Sequence, residues 1–157
     1  VLKRLLITSA THSLGLRVCK MLADKYELIQ ATSEDLPVFM QEKYVKIPKG
    51  VNPTFAHEML KLALDNGCNY ILPLQLAEIE SLSESLLLFE EYGIQVICPS
   101  KAQLQELEIL PNPAKELPLS VLLDKTDLLS HRQVDIAVNG LGVLSDSEMD
   151  FFLVVAR

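Results

Sequence analysis

The N-terminal segment alternates between apolar and polar blocks. Leu5–Ala10 is a short run of large aliphatic residues that ends in small ones, which is typical of a strand buried on both faces. A polar turn follows, in which Thr11 or Ser13 can cap the next helix. The apolar residues of that helix recur at helical spacing and are Leu14, Val18, Met21 and Leu22. Because Tyr26–Thr32 is again strand-like, this stretch predicts two parallel strands joined by a right-handed crossover.

The same alternation continues to about residue 110. Ser33–Gln41 is polar and contains Pro37, which indicates a loop. The elements predicted after it are strand Tyr44–Ile47, helix Asn52–Asn66, strand Asn69–Leu74, helix Ala77–Tyr92, strand Ile94–Cys98 and a helix from Ser100 to about Leu110. Such alternation predicts an α/β fold, a three-layer Rossmann-like open parallel sheet with helices on both faces.

Two of these helices start with capping signals. Asn52 is a suitable N-cap, and Pro53 suits the first helical position. Ser100 and Gln103 have the spacing of a capping box, in which each side chain bonds the backbone of the other residue. These signals place the starts of the two helices.

Residues 111–157 follow a different pattern. Residues 111–118 contain three prolines and predict a linker between a domain at 1–110 and an extension at 119–157. Antiparallel β-hairpins are predicted from Val134–Val138, the turn Asn139-Gly140, Leu141–Leu144 and Met149–Ala156. Between them and the linker, a strand at Ser120–Leu123 and a short helix from Lys125 are both compatible with the sequence. The extension is expected to pack on the sheet or on a partner.

The segment Phe151–Val155 is apolar and prone to form a strand. Such a strand on an open edge promotes aggregation. It is therefore expected to pair either within the fold or across the interface of a homodimer.

The charge distribution argues against one class of partner. The chain has 14 basic and 21 acidic residues, for a net charge of −7. Eight basic and five acidic side chains lie in residues 1–50, so the remainder is strongly acidic. Nucleic-acid binding requires a basic stripe that contacts phosphates, and no such stripe is present, so no nucleic-acid partner is expected. An anionic ligand would be expected to bind the N-terminal third.

Neither metal nor disulfide chemistry is predicted. Cys19, Cys68 and Cys98 are odd in number, widely spaced and without a CxxC pair. The three histidines lack a ligand spacing such as HExxH. We therefore expect no metal site and no disulfide framework.

No segment resembles a membrane anchor or a secretion signal. The longest apolar runs fall far short of the ~20 residues that span a bilayer. The N-terminal segment lacks the architecture of a signal peptide. The expected location is cytoplasmic, with no membrane partner.

The carboxyl edge of the predicted sheet is where a ligand is expected. In open α/β sheets ligands bind beyond the carboxyl ends of the strands, near helix N-termini. The candidate substrate- or anion-binding residues at this edge are Ser9, Thr11, Ser13, Gly15, Glu34, Gln75 and Glu78. No catalytic residue is predicted among them.

Other chemistry at this edge is disfavoured. A dinucleotide fingerprint needs three glycines, and the first loop has only Gly15, although Glu34 follows it at about the spacing of a ribose-binding acid. A serine nucleophile with His12 as base would require a nucleophile elbow, which is absent, so a capping or exposed His12 is expected instead. Glu78 and Glu80 are two residues apart on a helix, so only one of them can face a cleft.

Four segments occur in a recognisable order along residues 3–110. They are the strand and loop Leu6–Gly15, the strand Tyr44–Pro48, the segment Asn69–Pro73 with Glu78 after it, and the run Glu91–Ser100, which reads Glu-Tyr-Gly-Ile-Gln-Val-Ile-Cys-Pro-Ser. In this order they resemble the N-terminal pre-ATP-grasp domain of ATP-grasp ligases. The resemblance is to the branch that contains carbamoyl-phosphate synthetase large subunits and related carboxylate–amine ligases.

The resemblance implies a domain that forms one wall of an active-site cleft and helps to hold an acid substrate. It implies that Ser13, Gly15, Gln75 and Glu78 face the cleft, with Ser13 and the Gly15 amide at an anion and Glu78 at an amine or a sugar hydroxyl. In the family a two-lobed module after this domain holds ATP and Mg²⁺, and the 47 residues after residue 110 are too few for it. We therefore expect a truncated, excised or degenerate unit that binds no cofactor and is not catalytic by itself.

Two functions of other classes remain open. One is a stand-alone Rossmann-like module that binds a nucleotide or a metabolite. The other is an interaction protein that forms a homodimer through Phe151–Val155.

Overall fold

The computed structural model describes all 157 residues, and its first sheet contains five parallel strands. In chain order the elements of this part are β1 (Arg4–Ile7), α1 (Ser13–Leu22), β2 (Glu27–Thr32), β3 (Val45–Lys46), α2 (Phe55–Asp65), β4 (Tyr70–Leu72), α3 (Leu76–Ser83), α4 (Leu86–Glu91), β5 (Gln95–Val96) and α5 (Lys101–Glu106). The strand order is β3-β2-β1-β4-β5, and every neighbouring pair is parallel. The predicted open parallel sheet is confirmed.

Helices pack on both faces of this sheet. Leu5 and Ile7 of β1 lie in one hydrophobic cluster with the apolar side of α1. Leu6 faces the other way, into a cluster built from α2, α3 and α4. This alternation along a fully buried strand explains why the segment is apolar at every position, and it confirms the three-layer Rossmann-like fold.

A second sheet contains the C-terminal part of the chain. Its strands are β6 (Glu108–Pro111), β7 (Ser120–Leu123), β8 (Thr126–Asp127), β9 (Gly140–Leu144) and β10 (Phe151–Val155), in the order β6-β10-β9-β7-β8. β10 pairs with β6 in parallel and with β9 in an antiparallel hairpin. Phe151–Val155 therefore pairs within the fold along both of its edges.

Two helix predictions are wrong in extent. The helix predicted to reach Leu110 ends at Glu106, because Glu108–Pro111 hydrogen-bond to β10 instead. The boundary expected at residue 110 consequently falls inside β6. The helix predicted over Ala77–Tyr92 is divided into α3 and α4, and the Ser83 hydroxyl donates to the carbonyl of Glu80 at 2.8 Å beside the break. Serine side chains that bond the local backbone in this way compete with helix hydrogen bonds.

Two predictions beyond the linker are also wrong. Val134–Val138 alternates like a strand but is irregular, because β9, its predicted hairpin partner, already pairs with β10 along one edge and with β7 along the other. No helix starts at Lys125, since Asp124 and Lys125 both adopt left-handed backbone conformations in the β7–β8 turn. The alternative prediction of a strand at Ser120–Leu123 is confirmed.

The capping signals have different outcomes. The box at Ser100 and Gln103 is confirmed, with the Gln103 N–H donating to Ser100 Oγ at 3.3 Å and the Ser100 N–H donating to Gln103 Oε1 at 3.1 Å. Asn52 Oδ1 instead accepts from the N–H of Thr54 at 2.9 Å, and Thr54 is the N-cap of α2. None of these helices is both long and apolar enough to cross a membrane.

Candidate functional site

The order of the first sheet reverses between β1 and β4. The chain leaves β1 toward β2 on one side and leaves β4 toward β5 on the other. The loops after these two strands therefore diverge and leave a crevice, which is where open α/β sheets bind ligands. We call this place the switch point; residues 8–12 and 73–75 form its two loops.

Glu78 is the buried acid at the switch point. It lies in the first turn of α3 and is 1% exposed. Thr8 Oγ1 donates to Glu78 Oε1 at 2.6 Å, and the Gln75 N–H donates to the same oxygen at 3.3 Å. The Thr8 hydroxyl also accepts from the Leu74 N–H at 2.8 Å, so one carboxylate joins the ends of β1 and β4.

Burial changes the acidity of Glu78. Loss of hydration raises the pKa of this carboxyl from 4.5 to about 7, although the hydrogen bonds from Thr8 and from the backbone at Gln75 and Leu74 act in the opposite direction. Burial thus keeps Glu78 protonated to a higher pH than an exposed glutamate. Glu80, two residues later, is exposed, as expected if only one of the pair faces inward.

Gly50 packs against the start of α3. A Cβ at residue 50 would lie 2.5 Å from the backbone nitrogen of Glu78, so no other residue fits without a shift of the backbone. With its carboxyl buried, Glu78 holds Thr8 and the N-terminus of α3 in place.

Ser9 has an unfavourable conformation at the end of β1. Its φ is +52°, in the left-handed region that non-glycine residues seldom adopt, and the residue is 7% exposed. Its hydroxyl is buried and has no hydrogen-bond partner. A strained residue with an unsatisfied polar group contributes nothing to stability, and such residues cluster at functional sites.

The N-terminus of α1 is capped by His12, and not by Thr11 or Ser13 as predicted. Its Nδ1 accepts from the Leu14 N–H at 3.1 Å, so Nε2 carries the proton and donates to the Arg157 carbonyl at 3.1 Å. The N–H groups of Ser13 and Gly15 have no acceptor within the chain. Ser13 is exposed, so its N–H is available to an anion, whereas Gly15 is buried.

Gly15 is required by packing. A Cβ at this position would lie 1.9 Å from the carbonyl oxygen of Ser9. The glycine thus lets the first turn of α1 approach the strained residue Ser9.

The end of the second sheet lies over the switch point. The Ala156 N–H donates to the Leu74 carbonyl at 2.7 Å, directly after β10. Arg157 is held by Asn112, whose side chain donates to the Arg157 carbonyl and accepts from its N–H, both at 2.9 Å. A ligand at the crevice would therefore contact or displace Ala156 and Arg157.

A separate group of polar side chains lies at the end of β2. Thr11 Oγ1 donates to Glu34 Oε1 at 3.3 Å and is 3.4 Å from Thr32 Oγ1, which accepts from the Glu34 N–H at 3.1 Å. Thr32 and Glu34 line a cleft of about 450 Å³ together with Tyr44 and Lys46, and Thr11 adjoins it through its contacts with Thr32 and Glu34. Thr11 and Glu34 thus lie together but face a different opening from that of Glu78.

The predicted site residues divide into three places. Ser9, Gln75 and Glu78 lie at the switch point, and Thr11 and Glu34 lie at the end of β2. Ser13 is exposed at the start of α1, and Gly15 is buried behind it. Sequence reasoning missed Thr8 and the covering residue Ala156; the one signal for Thr8 was a hydroxyl inside an otherwise apolar strand.

No group of three or more histidine, cysteine, aspartate or glutamate side chains has an arrangement suited to a metal ion. The three cysteines are free and buried. Burial raises the pKa of Cys98 to about 12 and those of Cys19 and Cys68 to about 11, so their thiols are poor nucleophiles.

Comparison with known proteins gives a limited result. No protein-family model matches the chain, and no curated protein matches it. Solved structures that resemble it include the biotin carboxylase domain of the Hydrogenobacter thermophilus 2-oxoglutarate carboxylase, a domain dimer in complex with MgADP, ADP and bicarbonate. That match has 21% identity and a TM-score of 0.46 and covers 66% of this chain and 24% of the other. About two thirds of this chain thus aligns with about a quarter of that structure.

Proposed function

We propose that this chain is the substrate-side domain of an ATP-grasp carboxylate–amine ligase-like protein. In this proposal an acid substrate binds at the switch point, and ATP with Mg²⁺ is held by a module outside these residues. The chain alone would bind the acid without turning it over. The order of the segments Leu6–Gly15, Asn69–Glu78 and Glu91–Ser100 supports the family, and the geometry of the switch point supports the binding role.

The observation that carries the binding role is the state of Ser9. A left-handed serine costs about 1 kcal/mol or more, and a buried hydroxyl without a partner costs about 1–3 kcal/mol. A carboxylate that accepts from this hydroxyl would remove the second cost. The buried Glu78 then acts as a positioning residue, because through Thr8 it fixes the strand end that presents Ser9.

The direct test replaces Ser9 and follows stability and binding together. Ser9→Gly relieves the left-handed strain and removes the hydroxyl, so the free protein should gain about 1 kcal/mol of unfolding free energy while affinity for the acid falls. The matched control is His131→Gly, since His131 is also left-handed, with φ +64°, but lies in an exposed turn. This control should become more stable with no change in binding.

Binding would be measured by thermal shift and titration calorimetry with bicarbonate, acetate, aspartate and glutamate, each with and without MgATP. A ligand at 100 times its Kd stabilises the folded protein by ~2.7 kcal/mol, which raises Tm by roughly 5–10 °C for a chain of this size. We expect at least one acid to give such a shift and Ser9→Gly to abolish most of it. An acid that binds equally well to Ser9→Gly and to the parent would contradict the proposal.

A second candidate function is a stand-alone nucleotide-binding module. The observation that favours it is the hydrogen-bonded pair of Thr11 and Glu34 beside the 450 Å³ cleft at the end of β2, where a ribose-binding acid is expected. It predicts a thermal shift with MgATP or NAD alone, lost in Glu34→Gln and unchanged in Ser9→Gly. The two candidate functions therefore differ in the ligand that binds and in the residue whose substitution abolishes binding.

A further inference from the structure

A large cleft lies on the outer side of α1, and neither Glu78 nor Gln75 lines it. It has a volume of about 860 Å³ and is bounded by α1, by β2 and by residues 112–115. Ligand pockets for small organic molecules commonly have volumes of about 300–1,000 Å³. The cleft is therefore large enough for a metabolite.

The wall formed by residues 112–115 is fixed to α1. The Arg17 guanidinium donates to the Leu117 carbonyl at 2.6 Å and to the Ala114 carbonyl at 3.4 Å. Asn112 is held at its other end by Arg157. The cleft is thus preformed, which lowers the entropic cost of ligand binding.

The charge of the cleft is opposite to that of the protein. Arg17, Lys20 and Lys115 line it, and no aspartate or glutamate does, although the chain has a net charge of −7. Neither lysine has a carboxylate partner within 4 Å. These two ammonium groups are free to bind an anion.

The floor of the cleft is mainly apolar. Leu14, Cys19 and Leu28 contribute it, and Leu28 is only partly buried because no helix covers this part of β2. The side-chain oxygen of Gln30, also in the lining, is buried and receives no hydrogen bond. An apolar body with one hydrogen-bond donor would fit this floor.

We propose that this cleft is a second ligand site, which binds a small organic anion consisting of a carboxylate or phosphate head group on an apolar body. Lys20 and Lys115 bind the head group, and Leu14 and Leu28 contact the body. Thr8, Ser9 and Glu78 do not line this cleft, whereas Ser13 does, so the proposed site lies beside the switch point and adjoins it at the start of α1.

A fluorescence experiment can locate such binding, because the chain contains no tryptophan. Leu16→Trp places a reporter in the cleft at a half-exposed position of α1, and Leu87→Trp places one on exposed α4 as the control. The probe is 8-anilinonaphthalene-1-sulfonate, an aromatic anion. We expect energy transfer to the bound probe from the tryptophan of L16W, and at least several-fold less from that of L87W. Equal transfer from both would overturn the proposal.

Charge variants in the L16W protein test the head-group contacts. At low ionic strength the pair Lys20→Gln and Lys115→Gln should raise the Kd of the probe about five- to tenfold. The matched pair Lys61→Gln and Lys125→Gln removes the same charge from exposed positions outside the cleft and should change Kd less than twofold. Equal effects of the two pairs would mean that only net charge matters, which would refute the site.

Competition identifies the chemical class. Octanoate or octyl phosphate should displace the probe, and whichever does so at lower concentration identifies the preferred head group. Octanol tests whether the charge is needed, and inorganic phosphate tests whether the apolar body is needed. Displacement by either of these at the concentration required for octanoate, or no displacement by octanoate and octyl phosphate, would overturn the proposal.

Discussion

The buried carboxyl of Glu78 should make the stability of the fold decrease as pH rises toward neutrality. The substitution that isolates the effect of this carboxyl is Glu78→Gln. It removes the charge and keeps a side-chain oxygen that accepts hydrogen bonds from Thr8 Oγ1 and the Gln75 N–H. In the unfolded chain this carboxyl loses its proton near pH 4.5, whereas in the folded chain it does so near pH 7. Between these values the folded state binds more protons than the unfolded state.

The sign and the size of the pH effect on stability follow from this difference in proton binding. Because the folded pKa is raised, the contribution of protonated Glu78 is fully present below pH 4.5 and is lost by about pH 7. At about 1.36 kcal/mol per pKa unit, the total is about 3 kcal/mol. Glu78→Gln does not titrate, so it should gain about 3 kcal/mol relative to the parent between pH 4.5 and pH 8.

The assay is urea denaturation of the parent and of Glu78→Gln at several pH values from 4.5 to 8. The difference between the two proteins cancels the other titrating groups to first order. Glu80→Gln is the matched control, because Glu80 is exposed on the same helix, and its difference from the parent should not vary with pH. A Glu78→Gln difference that also stays constant over this range would refute a buried, proton-binding Glu78.

Two further predictions concern the start of α1. Gly15→Ala should destabilise the protein by about 2 kcal/mol or more, because its Cβ would lie 1.9 Å from the Ser9 carbonyl oxygen. Helix propensity alone predicts a gain in stability of up to about 1 kcal/mol instead. The sign of the change in unfolding free energy, measured by urea denaturation, therefore decides between the steric clash and helix propensity. His12→Ala should cost about 1–2 kcal/mol through loss of the N-cap and of the bond to Arg157, whereas His12→Asn, an efficient cap, should retain more than half of that stability. Equal losses in the two His12 variants would show that the cap contributes little.

The first sheet could be predicted from sequence because its signals are local. Leu5–Ile7 is apolar at each position since β1 is central, and Ser100 with Gln103 specifies a helix start by direct contact of neighbours. The second sheet could be predicted only in part. Glu108–Pro111 continues a helical pattern and becomes β6 because β10, about 40 residues later, supplies its hydrogen bonds. No local pattern contains that information.

The candidate site also has features that could be predicted from the sequence and features that could not. The position of Glu78 after β4 followed from the fold class, and so did the location of Ser9 and Ser13 at the carboxyl edge. The burial of Glu78 did not follow from the sequence, because it depends on how the start of α3 packs against distant residues such as Thr8 and Gly50. That Glu78 contacts an amine or a sugar hydroxyl of a substrate stays a prediction.

The pairing of β6 with β10 also constrains the order of folding during synthesis. β1 to β5 and their helices are made within the first 106 residues and contact one another locally, whereas β6 has no strand partner until residues 151–155 leave the ribosome. Long-range strand pairing of this kind is slow and leaves an edge open to wrong partners. The Leu74 carbonyl at the end of β4 likewise has no partner until Ala156 is made, so we expect a nascent chain that lacks residues 151–157 to leave the end of β4 uncovered.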